Sequence, residues 1–177
     1  MPRTLGYHFV KSCYGQWLPG DDRGHRSEAW DEEIGFIEPH TLHEGDPVRL
    51  RMAQERMLYP PFKLNEQSTQ IVVDTIGECV AKSSPRISIV AAAVDFTHMH
   101  FLIASYPRNI DNTIKWMLDQ TTKAIHRQAH ITQPIWVKGR WLEYIEDLGH
   151  WENIHAYIER HNEKNGRPIR PYPWVDG

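Results

Sequence analysis

The stretch "RISIVAAAVDFTHMHFLIASYP" (86–107) constrains the fold more than any other part of this sequence. Its first half, residues 86–96, reads as a buried strand, and "HMHFLIASYP" continues that strand or pairs with it. Side chains alternate across a strand, so His98 and His100 share one face while Met99 and Phe101 share the other. Two imidazoles inside an apolar strand each need polar partners. Either they are hydrogen-bonded residues at a sheet surface, or they are a preorganised pair of nitrogen ligands.

The remaining elements can be read around that core. "GYHFVKSCYG" (6–15) is a first strand, rich in aromatic and β-branched residues. Residues 16–64 form a long irregular insert punctuated by "WLPGDDRG", "GDPV" and "YPPF", with room for a short helix in "PVRLRMAQERML". "LNEQSTQIVVDTIGECVAKS" (64–83) is a helix capped by Asn65, with Ile71, Ile76 and Val80 on its apolar stripe. "NIDNTIKWMLDQTTKAIHRQAH" (109–130) is a second long helix. "PIWVKGRWLEYIED" (134–147) reads as a strand or hairpin turning at Gly139, and "HWENIHAYIERHNEKNG" (150–166) as an amphipathic helix stopped by Gly166. This order fits an α+β, ferredoxin-like (RRM-like) antiparallel sheet with two helices on one face. The last helix is then expected on the other face, over His98 and His100.

Length and charge narrow the function classes. A chain of 177 residues, 40% hydrophobic and 24% charged, suits one globular domain. No apolar run approaches the roughly 20 residues of a membrane-spanning helix, and the N-terminus lacks a secretory pattern. Cys13 and Cys79 make neither a disulfide framework nor a C-x-x-C motif. The expectation is a soluble cytoplasmic protein. The net charge of −3 is unevenly spread. Residues 20–46 hold nine acids (Asp21, Asp22, Glu28, Asp31, Glu32, Glu33, Glu38, Glu44, Asp46) against Arg23 and Arg26, a balance of −7 that leaves +4 for the rest. A basic working surface is therefore compatible with the composition.

The last predicted helix carries a candidate nucleophile. In "YIERH", Tyr157 and His161 are spaced i, i+4 and share one helix face. His161 would complete a three-imidazole set with His98 and His100, holding the Tyr157 phenol beside a metal ion. His150 falls on the same stripe, and Tyr144 is the next candidate nucleophile.

These motifs resemble the HUH single-tyrosine transposases, especially the REP-associated branch. His98-Met99-His100 is similar to the family's two histidines flanking an apolar residue on the central strand. Tyr157-Ile158 with Gly166 is similar to its tyrosine-helix pattern. "GRWLEYIED" (139–147) resembles the strand before that helix, and "CYGQWLPGDDRG" (13–24) a Y-G-T-W-L-P-G-D-x-R-G stretch of one subgroup. The resemblance spans 6–24 and about 86–166. It departs at His161, where the family usually has Asn or Gln, at Thr97 before the first histidine, and at Asn162, where many relatives have proline.

The resemblance implies a single transposase-like domain over 1–177. It also implies a metal-dependent nuclease and strand transferase acting on single-stranded or hairpin DNA through a 5′-phosphotyrosine, and a nucleoid-associated location when DNA-bound. Tyr157 is then catalytic, and His98, His100 and His161 hold a divalent ion, Mn²⁺ or Mg²⁺. An all-imidazole set suits Mn²⁺ or Zn²⁺ better than Mg²⁺. Family members include monomers and homodimers, some with tyrosine and histidines from different chains. Trp116, Trp136, Trp141 and Trp151 are candidates for base stacking. Asp21, Asp22 and Arg23 either read DNA or belong to a rigid turn that buries Trp17. Two other classes compete: a non-catalytic single-strand-binding module of the same fold, and a paired-histidine phosphoesterase built on two H-x-[ST] motifs.

Overall fold

The computed structural model describes residues 3–23 and 42–176, and between them the short pieces 25–26, 30–31 and 35–36. In chain order the elements are β1 (Gly6–Ser12), the two-residue strands β2 (His25–Arg26), β3 (Trp30–Asp31), β4 (Gly35–Phe36) and β5 (Leu42–His43), then α1 (Pro47–Glu55) and α2 (Glu66–Lys82). They are followed by β6 (Ile89–Val94), β7 (His98–Ala104), α3 (Ile110–Ala129), β8 (Trp141–Ile145) and α4 (Leu148–Lys164). The main sheet has the order β6-β7-β1-β8 with every pair antiparallel, which is the ferredoxin-like arrangement expected.

The apolar run at 86–107 becomes a hairpin. The Asp95 N–H donates to the His98 carbonyl at 2.8 Å, so the chain reverses at 95–97 and "HMHFLIA" pairs with "IVAAAV" instead of prolonging it. Alternation then sorts the side chains. Phe9, Met99, Phe101 and Ile103 join Ile71, Ile76 and Val80 of α2 and Ile110, Ile114, Met117 and Ile125 of α3 in the larger core. On the opposite face Ala91, Ala93, Leu102 and Ile145 meet Ile154 and Ile158 of α4. The alanines keep that face shallow and let α4 approach β6. Gly6 does the same on β1, where a Cβ would collide with the Ile103 carbonyl and the Trp151 ring.

Local chemistry sets the helix ends. Asn65 and Ser68 form a reciprocal capping box at the start of α2. Asn109 caps α3, which closes at His130 in the left-handed conformation. Asp147 accepts from the His150 N–H at 2.8 Å, so α4 begins at Leu148, two residues earlier than its sequence pattern suggests. Gly166, at φ +69°, ends it as expected.

Two expectations need correction. The first strand stops at Ser12 and not at residue 15: after the single bridge at Cys13 the chain turns, and the Gln16 N–H donates to the Cys13 carbonyl at 3.1 Å. The 134–147 hairpin does not form: only Trp141–Ile145 is a strand. The carbonyls of Val137 and Gly139 instead accept from the Lys11 ammonium at 2.7 and 2.6 Å, and Trp136 makes a single bridge to Cys13. Much of the acidic segment (Glu28, Glu32, Glu33 and Glu38) lies outside the described residues. Within them, Asp46 caps α1 by accepting from Val48 and Arg49, and Asp21 pairs with Arg23. Among the described residues, no helix is long and apolar enough to cross a membrane.

Candidate metal centre and tyrosine

His98 and His100 project from β7 toward α4, and α4 supplies Tyr157 and His161. Burial of Ile154, Ile158 and Asn162 at i, i+4, i+8 sets the rotation of that helix. His161 precedes Asn162, whose side-chain amide donates to the Ala92 carbonyl at 2.9 Å and to the Ile169 carbonyl at 3.1 Å. Asn162 therefore ties the tyrosine helix to β6 and to the C-terminal segment. Arg167 adds a bond to the Val94 carbonyl, and the Val94 N–H donates to the Tyr172 hydroxyl at 3.0 Å.

One nitrogen from each of His98, His100 and His161 falls within 4.8 Å of the others. The outward nitrogens of the strand pair are already engaged. His98 Nδ1 lies 2.9 Å from the Thr97 hydroxyl, and His100 Nδ1 lies 3.4 Å from His8 Nε2. Nε2 of His100 is buried without a hydrogen-bond partner, and Nε2 of His161, equally buried, faces the Asp95 carboxylate at 3.4 Å. Three imidazole nitrogens this close together, one of them buried and unpartnered, with a carboxylate beside them, fit a divalent ion. Their protonation is also suitable. Burial pushes His98 down to about 4, helped by the neighbouring His161, and burial with the other imidazoles pushes His100 well below its ordinary value. Both rings are therefore neutral near pH 7, as metal ligation requires.

The Tyr157 ring centroid is 5.5 Å from that of His100 and 6.3 Å from that of His161, and the side chain is 46% exposed. One copy of the chain thus brings the tyrosine and all three histidines together. Tyr144 is not part of this group. It pairs with Tyr7, packs on the Tyr7 ring at 5.2 Å, and so stands on the helix-covered side of the sheet.

Several neighbours escaped the sequence reading. His8 shares the His100 face of the sheet and stacks on it with centroids 5.6 Å apart. Behind His8 lies Glu143 of β8, 3.8 Å away, which also sits 3.6 Å from His150. The Asp95 carboxylate is 3.4 Å from His161 Nε2 and adds negative charge beside the cluster. The Trp17 ring meets His98 at 5.0 Å. Trp17 is only partly buried, so the ring is not hidden in its turn. The alternating pattern of β1, with Tyr7 and Phe9 apolar and His8 between them, carried a signal for His8. The register that sets it beside His100 did not show in the sequence. Of the proposed stacking tryptophans, Trp116 and Trp136 pack on the larger core and Trp151 on the smaller.

Among the described residues, the paired-histidine phosphoesterase reading finds no site. The chain has two H-x-[ST] tripeptides, His25-Arg26-Ser27 and His130-Ile131-Thr132. Ser27 lies outside the described residues. His130 ends α3, on the sheet face opposite the cluster.

The four-stranded antiparallel sheet with its helices is an α+β fold that resembles a solved tyrosine transposase. The solved structure of a REP-associated tyrosine transposase bound to a REP hairpin matches 98% of this chain and 78% of that one, with a TM-score of 0.50 and 13% identity. A Deinococcus radiodurans R1 protein assigned as a transposase matches 94% of this chain and 93% of that one, with a TM-score of 0.42 and 12% identity. No protein-family profile and no curated protein matches the sequence.

Proposed function

We propose that this chain is a metal-dependent single-stranded DNA nuclease and strand transferase of the HUH single-tyrosine type. The observation that carries the reading is the placement of Tyr157 against a cluster of three imidazoles, one of which, His100, holds a buried, unpartnered nitrogen. His98, His100 and His161 would hold the ion. A divalent ion there supplies neutralisation of a non-bridging phosphate oxygen, which the anionic backbone needs before an anionic nucleophile can approach. Tyr157 Oη bonds to phosphorus and gives up its proton while the bond to the 3′ oxygen breaks, and that oxygen leaves as a 3′-hydroxyl. The 5′-phosphotyrosine conserves the diester, so an incoming 3′-hydroxyl can reverse the step and join new ends. The REP-associated neighbour was solved on a DNA hairpin, which supports the same substrate class here.

The test is covalent trapping. With Mn²⁺ and a pool of short hairpin oligonucleotides, the chain should yield a protein–DNA adduct that survives denaturation. Tyr157→Phe removes one oxygen, keeps the ring, and should abolish the adduct while retaining DNA binding. Tyr144→Phe should leave the adduct unchanged, because Tyr144 stands across the sheet. Tight binding without any adduct would instead establish a non-catalytic single-strand-binding module.

A further inference from the structure

Trp17 occupies an unusual backbone conformation for a bulky residue, with φ at +50°. Non-glycine residues there are strained, and such strain persists only where the surroundings impose it. They do so from both ends. The Cys13 N–H donates to the Thr97 carbonyl at 2.8 Å, beside His98, and the Gln16 amide donates to the Phe62 carbonyl at 3.3 Å. Three residues after Trp17, Gly20 lies so close to α1 that a Cβ would collide with the Asp46 carbonyl and the Leu50 N–H. The Asp46 N–H donates to the Gly20 carbonyl at 2.9 Å.

The strained ring is held between two groups. Its centroid is 5.0 Å from His98 with the planes nearly perpendicular, and the Arg23 guanidinium carbon lies 4.2 Å from the ring. Arg23 is itself oriented by Asp21, which accepts from Nε at 2.8 Å and from Nη2 at 2.6 Å. The arginine side chain stays 51% exposed. The result is an indole–guanidinium stack on the rim of the three-histidine cluster.

We propose that Trp17 and Arg23 form a nucleobase-binding platform that takes the base adjoining the phosphodiester at the histidine cluster. The ligand class is a single-stranded nucleic acid with an unpaired base. An indole and a guanidinium plane both stack on any base face, so the platform tolerates sequence. The guanidinium adds positive charge where the backbone passes, in a segment that is otherwise strongly acidic. The platform rests on the single-strand DNA reading of the site.

Trp17→Gly is the informative variant, because glycine is relaxed at positive φ and the loop keeps its other anchors. The probe is a fluorescent ten-nucleotide oligo(dT), compared with an abasic strand of equal length, titrated into Tyr157→Phe protein to prevent cleavage. Adding Trp17→Gly should weaken oligo(dT) binding about 5- to 150-fold. Binding of the abasic strand should not change, nor should the thermal midpoint fall. Trp17→Phe should recover most of the loss. Undiminished oligo(dT) binding in Trp17→Gly, or an equal loss with both strands, would overturn the platform. Such a result with normal adduct formation by the unmodified chain leaves the nuclease reading standing. Base-dependent binding through Trp17 without an adduct on any strand does the reverse.

Discussion

His100 is gripped on the nitrogen it does not offer to the cluster. With Nε2 aimed at the other imidazoles, Nδ1 faces His8 at 3.4 Å, and His8 in turn faces Glu143. A ring nitrogen held this way fixes the tautomer and rotation of a ligating histidine. In the proposed metal centre His8 would be a positioning residue. His8→Ala should lower Mn²⁺ affinity about 10- to 100-fold by calorimetric titration, with the thermal midpoint of the metal-free protein little changed. His8→Gln, which can still bond Nδ1, should recover part of it. Unaltered affinity in His8→Ala would reduce the contact to packing. At this scale the sequence was informative for His98, His100, His161 and Tyr157, whose spacings report a shared face. It did not show the contacts of His8, Thr97, Asp95 and Trp17, which depend on strand register and on a loop folding back over β7.

The helix α4 decides whether those residues meet. Two isoleucines anchor it on the alanine-lined face, and Asn162 fixes its rotation and depth from the end nearest the site. Asn162→Leu would fill the space but leave the Ala92 and Ile169 carbonyls without their donor. Stability should fall by about 1–3 kcal/mol, measured by urea denaturation, and Mn²⁺ affinity should fall with it because His161 is the adjoining residue. A stability loss with full affinity would show that α4 is held in place without this bond. The helices were legible because caps and apolar period agree: Asn65, Asn109 and Gly166 mark real ends. Of the strand or hairpin expected at 134–147, a strand forms over Trp141–Ile145 and the hairpin does not, although "IWVKGRW" has strand composition and a turn glycine. Its carbonyls are satisfied by the Lys11 side chain, a partner more than a hundred residues away that no local pattern announces.

At the scale of the whole molecule, the cluster spans two layers. His98 and His100 belong to the sheet and His161 to the helix above it, so an ion bound by all three would cross-link β7 to α4. The order of strands and helices made a ferredoxin-like sheet legible from the sequence. The ladder order β6-β7-β1-β8, which puts the histidine strand beside β1 at the centre, came from long-range pairing. An ion that binds only the folded chain stabilises it by about 2.7 kcal/mol at a hundredfold excess over its dissociation constant. For a chain of this length that corresponds to a rise in thermal midpoint of about 5–10 °C, which a chelator should reverse. His98→Ala and His161→Ala should each abolish most of the shift, the first by removing the sheet side of the link and the second by removing the helix side. If only His98→Ala did so, the ion would belong to the strand pair alone and α4 would dock without it. If both variants kept the full shift, the ion would bind elsewhere, and the buried nitrogen of His100 would need another partner.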